Sequence, residues 1–368
     1  MKVPFSYLDR QFANPEPILK DIKRLVKSGD FTLGRDMELF ESEFAKVNDV
    51  KYAVGVGSGT DALLLSLKAL GIGAGDEVIT AVNTFVSTAG AIETSGAKIV
   101  FVDCNEKYVI DEQKIERNIT SKTKAIIPVH FSGQPANMPL IMDIAKKHDL
   151  LVIEDACQAI SASINGIKCG NFGLSSAFSF HPLKNLNVWG DAGVIITNSE
   201  DLKDKLILMR NHGMVDRDHY AFYAYNSRLD SIQAIVGNHM IKELEKITEK
   251  RIRIAHTYDR ELSGLQEFIS MPERSSNERH VFHLYMLLVK NRDNLFRYLN
   301  SNDIEAKIHY PIPLHLQGAS KYLEYNKGDF PVSESQAESL ITVPAHPYLT
   351  DEEVAFTIKK IRQFYSKH

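Results

Sequence analysis

Cysteine is scarce: the chain has three, Cys104, Cys157 and Cys169, in 368 residues. That number and their irregular spacing exclude a disulfide framework and a four-ligand zinc site, and a reducing cytoplasm is the expected compartment. A surplus of positive charge is also missing. The 43 Lys and Arg against 47 Asp and Glu leave a net charge of −4, so nucleic acid is not an expected partner. Nowhere does an uncharged apolar run reach the ~18 residues needed to span a membrane. The opening MKVPFSYLDRQF also lacks the apolar stretch of a signal peptide, so no membrane association is expected. Internal repeats and low-complexity segments are absent. What remains is a chain with 44% hydrophobic residues, enough for two or three domains at roughly 150 residues each.

Apolar residues at Ile18, Leu19, Ile22, Leu25 and Val26 have the spacing of one helical face, and a second helix is expected from Met37 to Val47, after the segment FTLGRD. Apolar runs then alternate with helical patterns. Candidate strands are Tyr52–Val56, Glu77–Thr80, Lys98–Val102, Ala125–Val129, Leu150–Ile153, Ser176–Phe180 and Gly193–Thr197. Such alternation predicts an α/β large domain, a mainly parallel seven-stranded sheet between helices. From Leu229 to Leu262 the pattern reads as one long connecting helix. The rest, with strands at His283–Val289 and Ile304–Ile308 and helices at Arg292–Asn300 and Asp351–Tyr365, predicts a smaller α+β C-terminal domain. The expected division is 1–240 and 241–368.

Three segments carry chemistry. The strand LVIED ends in Asp155, where open α/β sheets bind ligands, outside the carboxyl ends of their strands. Lys184 sits on a turn after the strand SSAFSF and before the buried AGVIIT; desolvation there would lower its pKa and free a lone pair for Schiff-base chemistry. The segment GVGSGTDALLL runs from a strand through glycines into an apolar helix, where backbone amides and Thr60 suit a phosphate. It lacks the Walker lysine, and its Gly-x-Gly-x-Gly spacing differs from the dinucleotide fingerprint, although spacing alone excludes neither use. Each piece by itself is also explained by an ordinary cap, ion pair or tight turn. Together they suit one cofactor, pyridoxal 5′-phosphate (PLP): the lysine binds its aldehyde, the carboxylate holds its ring nitrogen protonated, and the helix start holds its phosphate.

GSGTDALLLSLKALGIGAGDEVIT, IEDACQA, SFHPLKNLNVWGDAGVIITN, YNSRLD and IHYPIPLHLQ together resemble the sugar aminotransferases of the DegT/DnrJ/EryC1 group, PLP enzymes of the aspartate-aminotransferase fold (fold type I). The resemblance runs from FTLGRDMELFESEFA to VPAHPYLT. It implies that Lys184 is the Schiff-base lysine, Asp155 the partner of the ring nitrogen and Gln158 the neighbour of the ring hydroxyl. It further implies that Gly59, Thr60 and Ser179 contact the phosphate and that Phe85 stacks on the ring. Asn226 matches an asparagine that reaches the phosphate of the neighbouring subunit, which implies a homodimer with shared sites. Arg228 is read equally as a carboxylate ligand or as the ion-pair partner of Asp230. His181, His309 and His315 are held as substrate contacts.

The chain departs from the resembled pattern at Ser58, where asparagine is frequent, at Asn187, where glycine is frequent, and at the bulky Trp189; the last two are expected to reshape the sugar pocket. Lysine at 184 separates the chain from relatives with histidine there, which act as sugar 3-dehydratases. The implied activity is amino transfer from L-glutamate to a keto sugar, expected to be a 3-keto sugar on a nucleotide. HPLKNLNVW also resembles the branch acting on a 3-oxo-glucose phosphate, which keeps a keto-sugar phosphate as the alternative. Two readings of other classes stay open: a catalytically silent PLP- or sugar-binding regulator, and a nicotinamide-dependent sugar oxidoreductase.

Overall fold

The structure is a computed structural model that describes residues 1–366. Three helices come first: α1 (Leu8–Gln11), α2 (Glu16–Ser28), closed by Gly29 in the left-handed conformation, and α3 (Arg35–Val47). Seven strands follow at the expected places: β1 (Tyr52–Val56), β2 (Glu77–Ala81), β3 (Lys98–Val102), β4 (Thr123–Ile127), β5 (Leu151–Asp155), β6 (Ser175–Ser179) and β7 (Gly193–Thr197). They form one sheet in the order β1-β7-β6-β5-β4-β2-β3. Only β7 is reversed, pairing antiparallel with both β1 and β6.

Successive residues of the central strands serve opposite faces. Val78, Ala125, Ile127 and Ile153 join one apolar cluster, while Ile79, Ala81, Ile126 and Val152 join another. A sheet buried on both sides needs strands that are apolar at nearly every position, which is why these runs are so clear in the sequence. Helices α4 (Gly59–Ala69), α5 (Val86–Ser95), α6 (Met138–Lys147) and α7 (Glu200–Met209) lie among its crossovers.

The single helix expected over Leu229–Leu262 is two helices. α8 (Ser231–Met240) and α9 (Leu244–Leu262) are joined by a 3₁₀ turn at Ile241–Glu243. The two parts bury different surfaces: Ala234, Ile235 and Val236 pack with Phe40 and Phe44 of α3, whereas Ile254, Tyr258 and Leu262 enter the C-terminal core. The tighter turn re-aims the apolar stripe from one core to the other.

That C-terminal core covers a three-stranded sheet of β8 (Ile269–Ser270), β9 (Tyr285–Val289) and β10 (Leu340–Val343), with helices α10 (Arg292–Ser301), α11 (Pro331–Ser339) and α12 (Asp351–Tyr365) nearby. Ile304–Ile308 is not a strand. It makes two isolated bridges, Ile304 with Val3 and Lys307 with Thr342, because its neighbours on either side each offer one residue in register.

Candidate active site

Ser58 begins α4. Its backbone is extended, and its hydroxyl accepts from the Asp61 amide at 3.1 Å, ending the loop as an N-cap. The amides of Gly59 and Thr60 are left without a protein acceptor among the described residues. Free amides at the positive end of a helix attract an anion. Position 59 has no room for a side chain: a Cβ would fall 2.7 Å from Ser179 Cβ and 2.9 Å from Cys157 Sγ. Gly193 is as closely fixed, since a Cβ there would meet the Ser58 carbonyl oxygen at 2.2 Å. The start of β7 thus packs directly on the start of α4.

Asp155 closes β5 and is buried. Its Oδ2 accepts from Thr88 Oγ1 at 2.7 Å and its Oδ1 from the Cys157 amide at 3.1 Å, so both oxygens are held. Thr88 in turn shares a 2.8 Å hydroxyl contact with Thr84. The preceding residue, Glu154, accepts from the amides of Gly170, Phe172 and Gly173 at 2.7–2.8 Å and from His130 Nε2 at 2.9 Å. His130 Nδ1 accepts from the Ala136 amide at 3.1 Å, which leaves the ring proton on Nε2 for Glu154. This buried network fixes the strand end that carries Asp155.

Lys184 follows β6 on a turn closed by its own amide to the His181 carbonyl at 2.8 Å. Burial pushes the amine's pKa down, against the raising influence of Cys157 and Asp155. Gln158 Oε1 accepts from the Ser132 amide at 2.6 Å. Phe85 precedes α5 with its ring 6.0 Å from that of Tyr310. Burial pushes the Tyr310 phenol up to about 12.

One cavity of about 370 Å³ gathers Gly59, Thr60, Phe85, Asp155, Gln158, Ser179 and Lys184. His181 and His309 also line it, while His315 turns away to Glu334, 3.0 Å from its Nε2. Asn226 does not reach the cavity: it is exposed, in a bridge with Asn211. Arg228 donates to Asn211 Oδ1 at 3.2 Å rather than to Asp230. Asn187 and Trp189 do not line the cavity either. They face the N-terminal segment, Asn187 against Gln11 and Trp189 against Phe12. Residues the sequence reading missed include Tyr7, Arg251, His283 and His346, all on the cavity wall. Burial pushes His309 and His346 down to about 4 and His283 well below its ordinary value. Arg251, also buried, donates to the carbonyls of Phe282, His283 and Ala345 and to the Tyr7 phenol. Among the described residues, Arg251 is the one arginine on this wall.

Residues 14–362 match the profile of the DegT/DnrJ/EryC1/StrS aminotransferase family. The chain belongs to this family. It is 41% identical to the UDP-N-acetyl-3-dehydro-alpha-D-glucosamine 3-aminotransferase of Acidithiobacillus ferrooxidans, over 98% of this chain and 97% of that protein. It is 39% identical, over 99% of each chain, to a protein of Geobacillus stearothermophilus named as a pleiotropic regulatory protein. In three dimensions it matches Streptomyces venezuelae DesV, solved in complex with a ketimine intermediate. The TM-score is 0.96 and the identity 35%, over 99% of this chain and 98% of that one. The molecule is a PLP-dependent sugar aminotransferase with the fold of its family.

The residues of this aminotransferase fit the cofactor. The free amides at the start of α4, with Thr60 and Ser179 beside them on the cavity wall, could hold a phosphate, and a Cβ at 59 would crowd that place. The doubly held Asp155 supplies a fixed negative charge, and the Lys184 amine makes no hydrogen bond or ion pair with another described residue.

Proposed function

We propose that this aminotransferase moves the amino group of L-glutamate to a 3-keto sugar carried on a nucleotide. The observation that carries the reading is the convergence, in one cavity, of a desolvated lysine amine, a buried carboxylate and an open helix start. The 3-keto position and the nucleotide carrier are supported by the printed activity of the Acidithiobacillus ferrooxidans relative.

Bound PLP supplies an electron-accepting ring joined to a reactive aldehyde carbon. Gly59, Thr60 and Ser179 would hold the phosphate, Phe85 would stack on the ring and Gln158 would contact its hydroxyl. Asp155 holds a proton at the ring nitrogen, its orientation fixed by Thr88 and the Cys157 amide. Lys184, in its neutral form, removes the proton from Cα of the donor and later delivers one to the sugar carbon. No histidine on the wall is needed for this work, and burial keeps His283, His309 and His346 neutral.

We further read the enzyme as a homodimer in which Asn226 serves the partner's phosphate. Its exposed place away from the chain's own cavity supports this, as does the apolar exposure of its neighbours Tyr220 and Tyr223. The three unpaired thiols suit the cytoplasm, and no helix among the described residues is long and apolar enough to cross a membrane. Residues 1–240 and 241–368 are taken as two domains because the seven-stranded sheet lies in the first and the sheet of β8, β9 and β10 in the second, joined by the pairing of Ser163–Ile164 with Glu278–Arg279.

Borohydride reduction of the PLP-loaded enzyme followed by peptide mapping should label Lys184. The pyridoxamine phosphate form should then lose its amine to a 3-keto nucleotide sugar in a substrate panel. Exclusive reaction with a keto-sugar phosphate would move the assignment to that carrier. The Geobacillus relative's name favours a second reading, a regulator that binds PLP without turnover. Conversion of bound PLP by L-glutamate excludes it.

A further inference from the structure

The lysine loop, residues 181–190, is not held by the large sheet alone. Residues 3–12 cross the molecule and touch the loop at three points. The Tyr7 hydroxyl donates toward the carbonyls of Lys184 and Leu183, at 3.3 and 3.5 Å. The side-chain amides of Gln11 and Asn187 form a reciprocal pair, with Gln11 Nε2 to Asn187 Oδ1 at 2.8 Å and Asn187 Nδ2 to Gln11 Oε1 at 2.9 Å. Phe12 meets the Trp189 ring edge-on, with centroids 5.5 Å apart. Asn187 Nδ2 also reaches back to the Pro182 carbonyl, so this one side chain ties both ends of the lysine turn to the arm.

The same ten residues are fastened at the other end to the C-terminal core. Val3 bridges Ile304: the Val3 amide donates to the Asp303 carbonyl at 2.8 Å, and the Glu305 amide to the Val3 carbonyl at 3.0 Å. Arg10 grips Glu353 with two hydrogen bonds, 2.8 and 2.7 Å, at the first turn of α12. A planar guanidinium on a carboxylate in this form is among the stronger polar contacts available. Tyr7 stacks on His346 at 4.9 Å and takes a 2.9 Å hydrogen bond from the buried Arg251, which polarises its hydroxyl toward the lysine loop.

We propose that residues 3–12 act as a strap that sets the position of the reactive amine, and that Asn187 is a positioning residue of the reaction, its joint with Gln11 transmitting the placement of the C-terminal core to Lys184. A glycine at 187 could make no such joint. Asn187 and Trp189 are the docking points of the strap on the lysine loop. The proposal rests on Lys184 being the PLP-binding amine.

The test uses full-length Gln11→Ala and Asn187→Gly and the exchanged pair Gln11→Asn/Asn187→Gln, each loaded with PLP. In the glutamate half-reaction the saturating rate of each single variant should fall about tenfold, short of the ~100-fold that a misplacement of about 1 Å can cost. KM should stay within about twofold, PLP content should be unchanged, and the exchanged pair should recover most of the rate. Gln11→Ala keeps the Asn187 contact with Pro182 and so guards against a loop that merely unfolds. Unchanged rates overturn the proposal. So does a rate loss that follows lost PLP and lowered Tm and is not recovered in the exchanged pair. A wild type that borohydride does not trap at Lys184 overturns the reading of the site itself; trapping with normal turnover in every variant overturns the strap alone.

Discussion

Thr88 Oγ1 donates to Asp155 Oδ2 at 2.7 Å, and this bond joins the first turn of α5 to the end of β5, two elements 67 residues apart in the chain. The carboxylate keeps its aim because a helix and a strand end hold one oxygen each. Hydrogen bonds to charged groups contribute about 1.5–3 kcal/mol. Thr88→Val should therefore slow the glutamate half-reaction about 10- to 100-fold in stopped-flow absorbance, while Asp155→Asn, which cannot hold the ring proton by charge, should slow it further. An unaltered rate in Thr88→Val would show that Asp155 is fixed by other means.

Gly59→Ala places a methyl group against Ser179 and Cys157 with no space to receive it. Overpacking of this kind costs about 1–3 kcal/mol. If the cost appears in the cradle, PLP affinity measured by equilibrium dialysis falls about tenfold or more, whereas Gly264→Ala, at a position with open space and no positive φ, leaves it unchanged.

The lowered pKa of Lys184 has a sign that can be checked. Its folded value lies below the ordinary 10.5 of the unfolded chain, so between the two the unfolded state binds more protons. Stability from this group therefore rises with pH across that window. In cofactor-free enzyme, Lys184→Met should raise Tm at pH 7, and the gap should narrow toward pH 10. A gap independent of pH would mean that the amine is charged in the fold.

His309 and His346 act in the acid range. Both are pushed down to about 4 from an ordinary 6.5, so the unfolded chain takes up their protons first and stability is lost as pH falls from 6.5 toward 4. His346→Gln should flatten that part of the Tm profile. Neither histidine should contribute an inflection to the activity profile between about pH 5 and 8.

The strands of the large sheet were legible because they are apolar at consecutive positions, and α12 lies where it was expected, at Asp351–Tyr365, its start closed by the reciprocal capping box of Thr350 and Glu353. The strand Leu340–Val343 went unread: four residues are too few to show a period. The cradle, Asp155 and Lys184 were found because each stands at a strand end or helix start, where local sequence carries the signal. Tyr7, Arg251, His283 and His346 come from four separate segments, and only the folded chain brings them to one wall. The break between α8 and α9 was hidden for a related reason, because it answers to which core each half faces and not to any Pro or Gly in the segment.

The strap also bears on how the enzyme is made. Tyr7 and Gln11 leave the ribosome before Lys184, and Lys184 long before Glu353, the anchor of Arg10. The nascent large sheet can fold as it emerges, but the reactive turn gains its final hold only when α12 has been synthesised and Glu353 has met Arg10. Prematurely terminated chains would therefore carry the lysine without the placement that makes it useful.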